Sequence, residues 1–239
     1  GLVGSEMCIR DSGKPAGFKL CVGSRREVLA ICKAMREVGT TPDFIVVDGS
    51  EGGTGAAPID FEDHVGMPLT DGLMTVHNAL VGTGLRDQVK LGASGKVAGG
   101  ADIVMRMIQG ADFTNAARAM MMALGCIQAQ RCHTGKCPSG VATQDPRRTR
   151  AVVVEEKSRA VYNFQKATVQ QAVRLMASMG VSDPAELNPA MLRRNVSPTE
   201  ARSYAELYEW LAPGQLLDDA PQGWAEDWQA ASADTFRPV

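Results

Sequence analysis

Four times in succession between Phe18 and Leu124, the chain alternates a short apolar run with a stretch whose apolar residues recur at helical spacing. Phe44 to Val47 is the clearest run, apolar and β-branched as a strand buried on both faces has to be. Phe18 to Val22, Val89 to Ala93 and the weaker Asp112 to Ala116 predict three more strands. Between them Val28, Ile31, Cys32 and Met35 mark one helix, opened by a Ser24–Glu27 capping box and stopped at Gly39. Leu73, Val76, His77 and Leu80 mark a second helix. Ile103, Val104, Met107 and Ile108 mark a third, ending at Gly110, and a short fourth runs to about Leu124. Alternation at this spacing predicts an α/β fold of parallel βα units. Four units make half of an eight-fold barrel, which needs about 250 residues when whole. The count therefore points to half a barrel or to a smaller doubly wound sheet.

The ends depart from this rhythm. Residues 1–12 continue into no pattern and look like translated sequencing adapter, so they are set aside as a non-native segment. Residues 13–145 carry the βα units, and 146–239 are expected to form a helical extension and tail. In the extension, Val161, Phe164, Thr168, Leu175 and Met179 form a helical stripe ending at Gly180. Asp183-Pro184 with Glu186, and Ser197-Pro198 with Glu200, predict two further helix starts with proline at the first position. The tail after Pro213 holds Trp224 and Trp228 with little regular pattern, and is expected to pack on the barrel or on a partner.

A formal charge of −2 makes no electrostatic case for nucleic acid or an anionic membrane surface. No apolar run approaches a membrane span, and the first residues lack the basic start and apolar core of a secretory signal. Three of the six cysteines fall within twelve residues, which fits a local cofactor or metal site in a reducing cytoplasm better than an extracellular disulfide framework.

That cluster is Cys126, Cys132 and Cys137, spaced C-x5-C-x4-C in a loop with Gly135 and closed by Pro138. Thiolates are soft ligands that select zinc, copper(I) or iron–sulfur clusters. A four-iron cluster takes four cysteines, whereas three suit a three-iron cluster with one thiolate for each iron. Zinc with His133 as fourth ligand competes, but adjacent Cys132 and His133 converge awkwardly and the spacing is not a usual finger. Lys19 is the other conspicuous residue, because a lysine inside a buried-looking strand is costly unless it is paired or faces a site. His64 and His77 read as loop and helix residues, and Met105, Met107 and Met120 to Met122 as core packing.

Residues 132–144, Cys-His-Thr-Gly-Lys-Cys-Pro-Ser-Gly-Val-Ala-Thr-Gln, resemble the cluster loop of glutamate synthase large subunits. Gly52-Gly53-Thr54-Gly55-Ala56-Ala57-Pro58 resembles that family's Gly-Gly-Thr-Gly-Ala-Ser-Pro loop. Leu85-Arg86-Asp87 and Ala123-Leu124-Gly125-Cys126 match in order and spacing, so that the likeness covers about residues 17–145. Two loops depart from the family pattern. Ala93 to Gly99 replaces a usual Asp-Gly-Gly-Leu-Lys-Thr-Gly, and residues 114–118 replace a Gly-Phe-Gly segment. These departures look like the stand-alone, FMN-binding glutamate synthase-like proteins.

The resemblance implies the C-terminal half of a (β/α)8 TIM barrel, its last four strands, holding FMN and a 3Fe-4S cluster. The loops after residues 93 and 116 then lie where barrel enzymes commonly hold phosphate. Ser94, Gly95 and Lys96, with Ala116, Ala117 and Arg118, are expected to cradle the FMN phosphate, helped by the N-terminus of the following helix. Gly52, Gly53 and Thr54 are expected against flavin or substrate, Lys19 as a catalytic contact to a substrate carboxylate or the flavin, and Cys126, Cys132 and Cys137 as cluster ligands. The implied reaction is oxidoreduction at a CH–NH2 group. 2-Oxoglutarate and ammonia, free or glutamine-derived, give 2-iminoglutarate, which is reduced to L-glutamate with electrons from ferredoxin or a reductase subunit. An FMN and iron–sulfur oxidoreductase of different substrate, and an inactive zinc-binding or non-folding fragment, are the alternatives. Half a barrel is expected to be inactive alone.

Overall fold

A computed structural model describes residues 11–51, 60, 61 and 63–237. Four parallel strands pair in sequence order: β1 (Gly17–Cys21), β2 (Phe44–Asp48), β3 (Lys90–Ser94) and β4 (Phe113–Asn115). The helices between them are α1 (Arg25–Val38), α2 (Leu69–Gly82) and α3 (Gly100–Ile108), with the short α4 (Arg118–Ala123) after β4. All four expected βα units are present. The sheet is open, with β1 at one edge and β4 at the other.

The two sheet faces differ. Ile45, Val47, Leu91 and Ala93 face the helices, where they join Leu29, Leu73, Val76 and Leu80 in the main core. The opposite face follows from the register. One row across the strands is Lys19, Val46, Gly92 and Phe113; the next row toward the strand ends is Cys21, Asp48, Ser94 and Asn115. A Cβ on Gly92 would lie 2.5 Å from the Phe113 ring, so this position has to be glycine for Phe113 to lie across β3. Phe113 meets Phe44 edge to face, with centroids 6.4 Å apart. Aromatic rings thus fill this face toward the strand starts, while polar groups gather at the carboxyl ends.

Some local expectations need correction. Ser24 occupies the N-cap of α1, but its side chain makes no capping hydrogen bond. Met122 is exposed rather than part of a core. The segment beyond Gln144 is not helical alone. Helix α5 (Val154–Ser178) buries Thr168, Ala172 and Met176 and shares a second core with Val104 and Ile108 of α3. Past it, Asp183 caps only a three-residue 3-10 turn, Pro184–Glu186. Ser197-Pro198-Thr199-Glu200 is the turn of an antiparallel hairpin, β5 (Arg193–Ser197) with β6 (Glu200–Ser203). Proline suits the second position of a β-turn as well as the first of a helix, and here Glu200 pairs with Arg202 rather than capping.

The tail is more regular than its sequence suggests. Helix α6 (Gln222–Ala230) lies against α1 with Trp224 buried. Arg25 pairs with Asp227 and lies 4.6 Å from the Trp224 ring centroid. Lys33 Nζ donates to the carbonyls of Trp228 and Ala231 at 2.6 and 2.8 Å, placing a cation at the negative end of α6.

Arg86, from the Leu85-Arg86-Asp87 motif, ties β3 to β4. It donates to the Val89 and Gly110 carbonyls and pairs with Asp112 at 2.8 Å, and Asp112 also accepts the Leu91 N–H. Arg86 Nε further faces His77 Nδ1 at 3.3 Å. Burial first, and the Arg86 charge second, push the His77 imidazole down to about 4. The neutral form is therefore favoured by folding. This contribution is complete above about pH 6.5 and is lost as pH falls through about 4, on the order of 3 kcal/mol in all. Between pH 7 and pH 4.5 the urea midpoint of the full-length protein is expected to fall further than that of a His77→Gln variant. Equal falls would show that His77 does not carry this acid sensitivity.

Candidate flavin and cluster site

The carboxyl ends of β1 to β4 bring three of the sequence-predicted groups to one side of the sheet. Lys19 Nζ lies 2.8 Å from Asp48 Oδ2, an ion pair on the sheet face opposite the helices. The lysine is therefore paired, and its partner Asp48 was not singled out from the sequence. Nothing local reveals that pair, because it joins two strands separated by a whole helix.

After β3 the chain turns through Ser94, Gly95 and Lys96. Gly95 has φ +148° and Lys96 φ +48°, the second a left-handed conformation that costs a lysine on the order of 1 kcal/mol. Such strain gathers where a loop is held for a purpose. Lys96 Nζ lies 3.9 Å from Asp63 Oδ1, and Arg118 Nη2, at the start of α4, lies 3.2 Å from the same oxygen. Arg118 also donates to the Glu51 carbonyl at 3.4 Å. Two cations from consecutive strand ends thus converge on one anionic atom. Asp63, in the loop after β2, is a second residue that the sequence did not mark.

Three N–H groups leading into α3 already have side-chain partners. Asp102 Oδ2 accepts the N–H groups of Ala98 and Gly99, both at 2.9 Å, and Gln171 of α5 accepts that of Gly100 at 2.8 Å. Ala116, Ala117, Thr114 and Asn115 line a cavity of about 370 Å³ together with Phe164 and Thr168 of α5. Gly52, Gly53 and Thr54 lie outside the described residues.

The cysteine loop follows α4. Cys132 begins a 3-10 turn ending at Gly135, and with His133 lines an open cleft of about 720 Å³ beside Met121. Cys137 is buried and Cys126 half-buried, and none of the five described cysteines forms a disulfide. The Ser139 hydroxyl lies 3.4 Å from Cys137 Sγ. That contact, with the backbone N–H groups of Ala142, Ser139 and Val141, outweighs burial and holds the Cys137 thiol down to about 7. The three thiols are not gathered. Among the described residues, no three His, Cys, Asp or Glu side chains are grouped to hold a metal ion.

The family model described as a conserved region in glutamate synthase matches residues 8–182. The chain belongs to the glutamate synthase family. It is 44% identical over 177 residues to the glutamate synthase large subunit-like protein YerD of Bacillus subtilis, covering 74% of this chain and 34% of that one. To the archaeal glutamate synthase [NADPH] of Methanocaldococcus jannaschii it is 35% identical over 169 residues, 71% of this chain and 32% of the relative. To the ferredoxin-dependent glutamate synthase of Pyropia yezoensis it is 41% identical over 139 residues, 58% and 9% of the two chains. A solved mutant flavocytochrome b2 with benzoylformate superposes with TM-score 0.49 and 14% identity, over 93% of this chain and 44% of that one. The chain spans about a third of the length of the first two of these relatives. The hairpin and α6 lie beyond the matched region of this glutamate synthase-family chain. No helix among its described residues is long and apolar enough to cross a membrane.

Proposed function

We propose that this chain supplies the C-terminal half of an FMN-binding (β/α)8 synthase domain that reduces 2-iminoglutarate, formed from 2-oxoglutarate and ammonia, to L-glutamate. One observation carries the flavin reading: Lys96 and Arg118, from consecutive strand ends, reach the same Asp63 oxygen. A phosphate monoester carries more negative charge than a carboxylate and more acceptor oxygens, so it suits two cations better than Asp63 does. The residues thus fit FMN, with Ser94, Lys96 and Arg118 holding its phosphate beside Ala116 and Ala117. When bound, FMN supplies the hydride. Lys19 has donors to hold a substrate carboxylate on the inner face, with the Phe44 and Phe113 rings on the same face toward the strand starts.

Three thiols, one of them lowered toward neutral pH by its hydrogen-bond donors, are the right donor chemistry for an iron–sulfur cluster. Cys126, Cys132 and Cys137 would hold a 3Fe-4S cluster once the loop draws them together, and the cluster would supply electrons. Ferredoxin or a reductase subunit is the donor class, and ammonia arrives free or from glutamine. Barrel closure takes a further (βα)4 half. It would pair with the two open sheet edges, β1 and β4. The direct test is 2-oxoglutarate- and ammonia-dependent oxidation of the reduced flavin in the full-length protein. Oxidation that neither substrate accelerates would assign the scaffold to another substrate.

A further inference from the structure

The Lys19–Asp48 pair has a feature that a simple carboxylate-binding lysine lacks. Lys19 is opposite Val46 in the register and Asp48 is two residues farther along the same strand face, so the lysine reaches toward the strand ends to meet it. The Lys19 side chain is 53% exposed, against 17% for Asp48, which leaves lysine donors open to the inner face. The other charged group at the end of β2 is occupied elsewhere, since Glu51 accepts the Leu69 N–H through both carboxylate oxygens. In the row of Asp48, Cys21 stays a neutral thiol, pushed up by burial and by Asp48 and Glu51, while Ser94 and Asn115 are uncharged. The two rows nearest the strand ends therefore present one cation and one anion side by side, while Lys90 lies on the same face one row farther back, beside Phe44.

We propose that this pair reads a zwitterion, making Asp48 a specificity-determining residue of the site. Lys19 holds the α-carboxylate of the ligand, and Asp48 accepts from the adjacent nitrogen, protonated as iminium in the substrate or ammonium in the product. A lone lysine would favour any dicarboxylate, the oxo acid included. Beside Asp48 an oxo acid sets a carbonyl dipole against a carboxylate, while an amino or imino acid satisfies both charges. The same contact stabilises the protonated imine, the form that accepts hydride. This inference rests on the glutamate-forming reading, and it adds discrimination between imino and oxo acid to it.

Calorimetric titration of the full-length oxidised protein with L-glutamate and, separately, with 2-oxoglutarate tests it without turnover. Asp48→Asn is expected to weaken L-glutamate at least tenfold while 2-oxoglutarate binds as well or better, and Asp48→Glu is expected to restore part of the glutamate affinity. Lys19→Met is expected to weaken both ligands. Parallel loss of both ligands in Asp48→Asn, or no change in either, would overturn the zwitterion inference and leave the synthase reading standing. Failure of the unsubstituted protein to bind either ligand would overturn both.

Discussion

Replacing Lys96 and Arg118 together by alanine is expected to strip the full-length protein of flavin. On the proposed reading each cation would contribute charge-assisted hydrogen bonds to the phosphate, about 1.5–3 kcal/mol apiece. Losing both weakens FMN binding by about two to four orders of magnitude. Their convergence on Asp63 makes the effect cooperative in position as well as in charge, because the loops after β3 and β4 present them to one point. The purified double variant should be colourless, and fluorescence titration should show FMN binding recovered only at concentrations far above those sufficient for the unsubstituted protein. Arg118→Lys should fall between the two, since lysine keeps the charge and loses the planar fork. Full flavin content in the double variant would move the phosphate elsewhere.

The second large effect concerns iron. Cys132→Ser in the full-length protein is expected to remove nearly all of the iron and the cluster's visible absorbance while FMN stays bound. A serine oxygen is a hard, weakly acidic donor and a poor substitute for a thiolate on a cluster iron. Cys137→Ser should behave alike, with the added loss of the thiolate that Ser139 and the backbone N–H groups stabilise. Unchanged iron in both variants would remove the loop from the electron path, and zinc in place of iron would restore the alternative in which His133 takes part.

How much of this could be read from the residues depended on whether the signal was local. The four strands and the helices between them were legible because burial on both faces demands runs such as Phe44 to Val47, and helices need stripes such as Val28, Ile31, Cys32 and Met35. The loop that bears Lys96 and the start of α4 at Arg118 were legible through family likeness. Their meeting at Asp63 was not, because that carboxylate sits on a different loop. Asp48 escaped notice for the same reason: it looks like the polar end of an apolar strand until β1 is laid beside it. The Ser-Pro-Thr-Glu segment misled for a different reason. Its preferences serve a helix start and a β-turn equally, and the choice was made by pairing between Arg193–Ser197 and Glu200–Ser203. Trp224 and Trp228 gave no period in so short a helix, yet their rings, stacked against Arg25 and Lys33, fasten the tail to α1.

The phosphate cradle at the ends of β3 and β4 is the claim on which the rest depends, and comparing FMN with riboflavin on the apo form of the full-length protein tests it most directly. The two ligands share the isoalloxazine ring and ribityl chain and differ only in the phosphate. FMN should bind at least about a hundredfold more tightly, and that advantage should vanish in the Lys96→Ala, Arg118→Ala variant. Equal affinity for the two flavins in the unsubstituted protein would contradict the cradle.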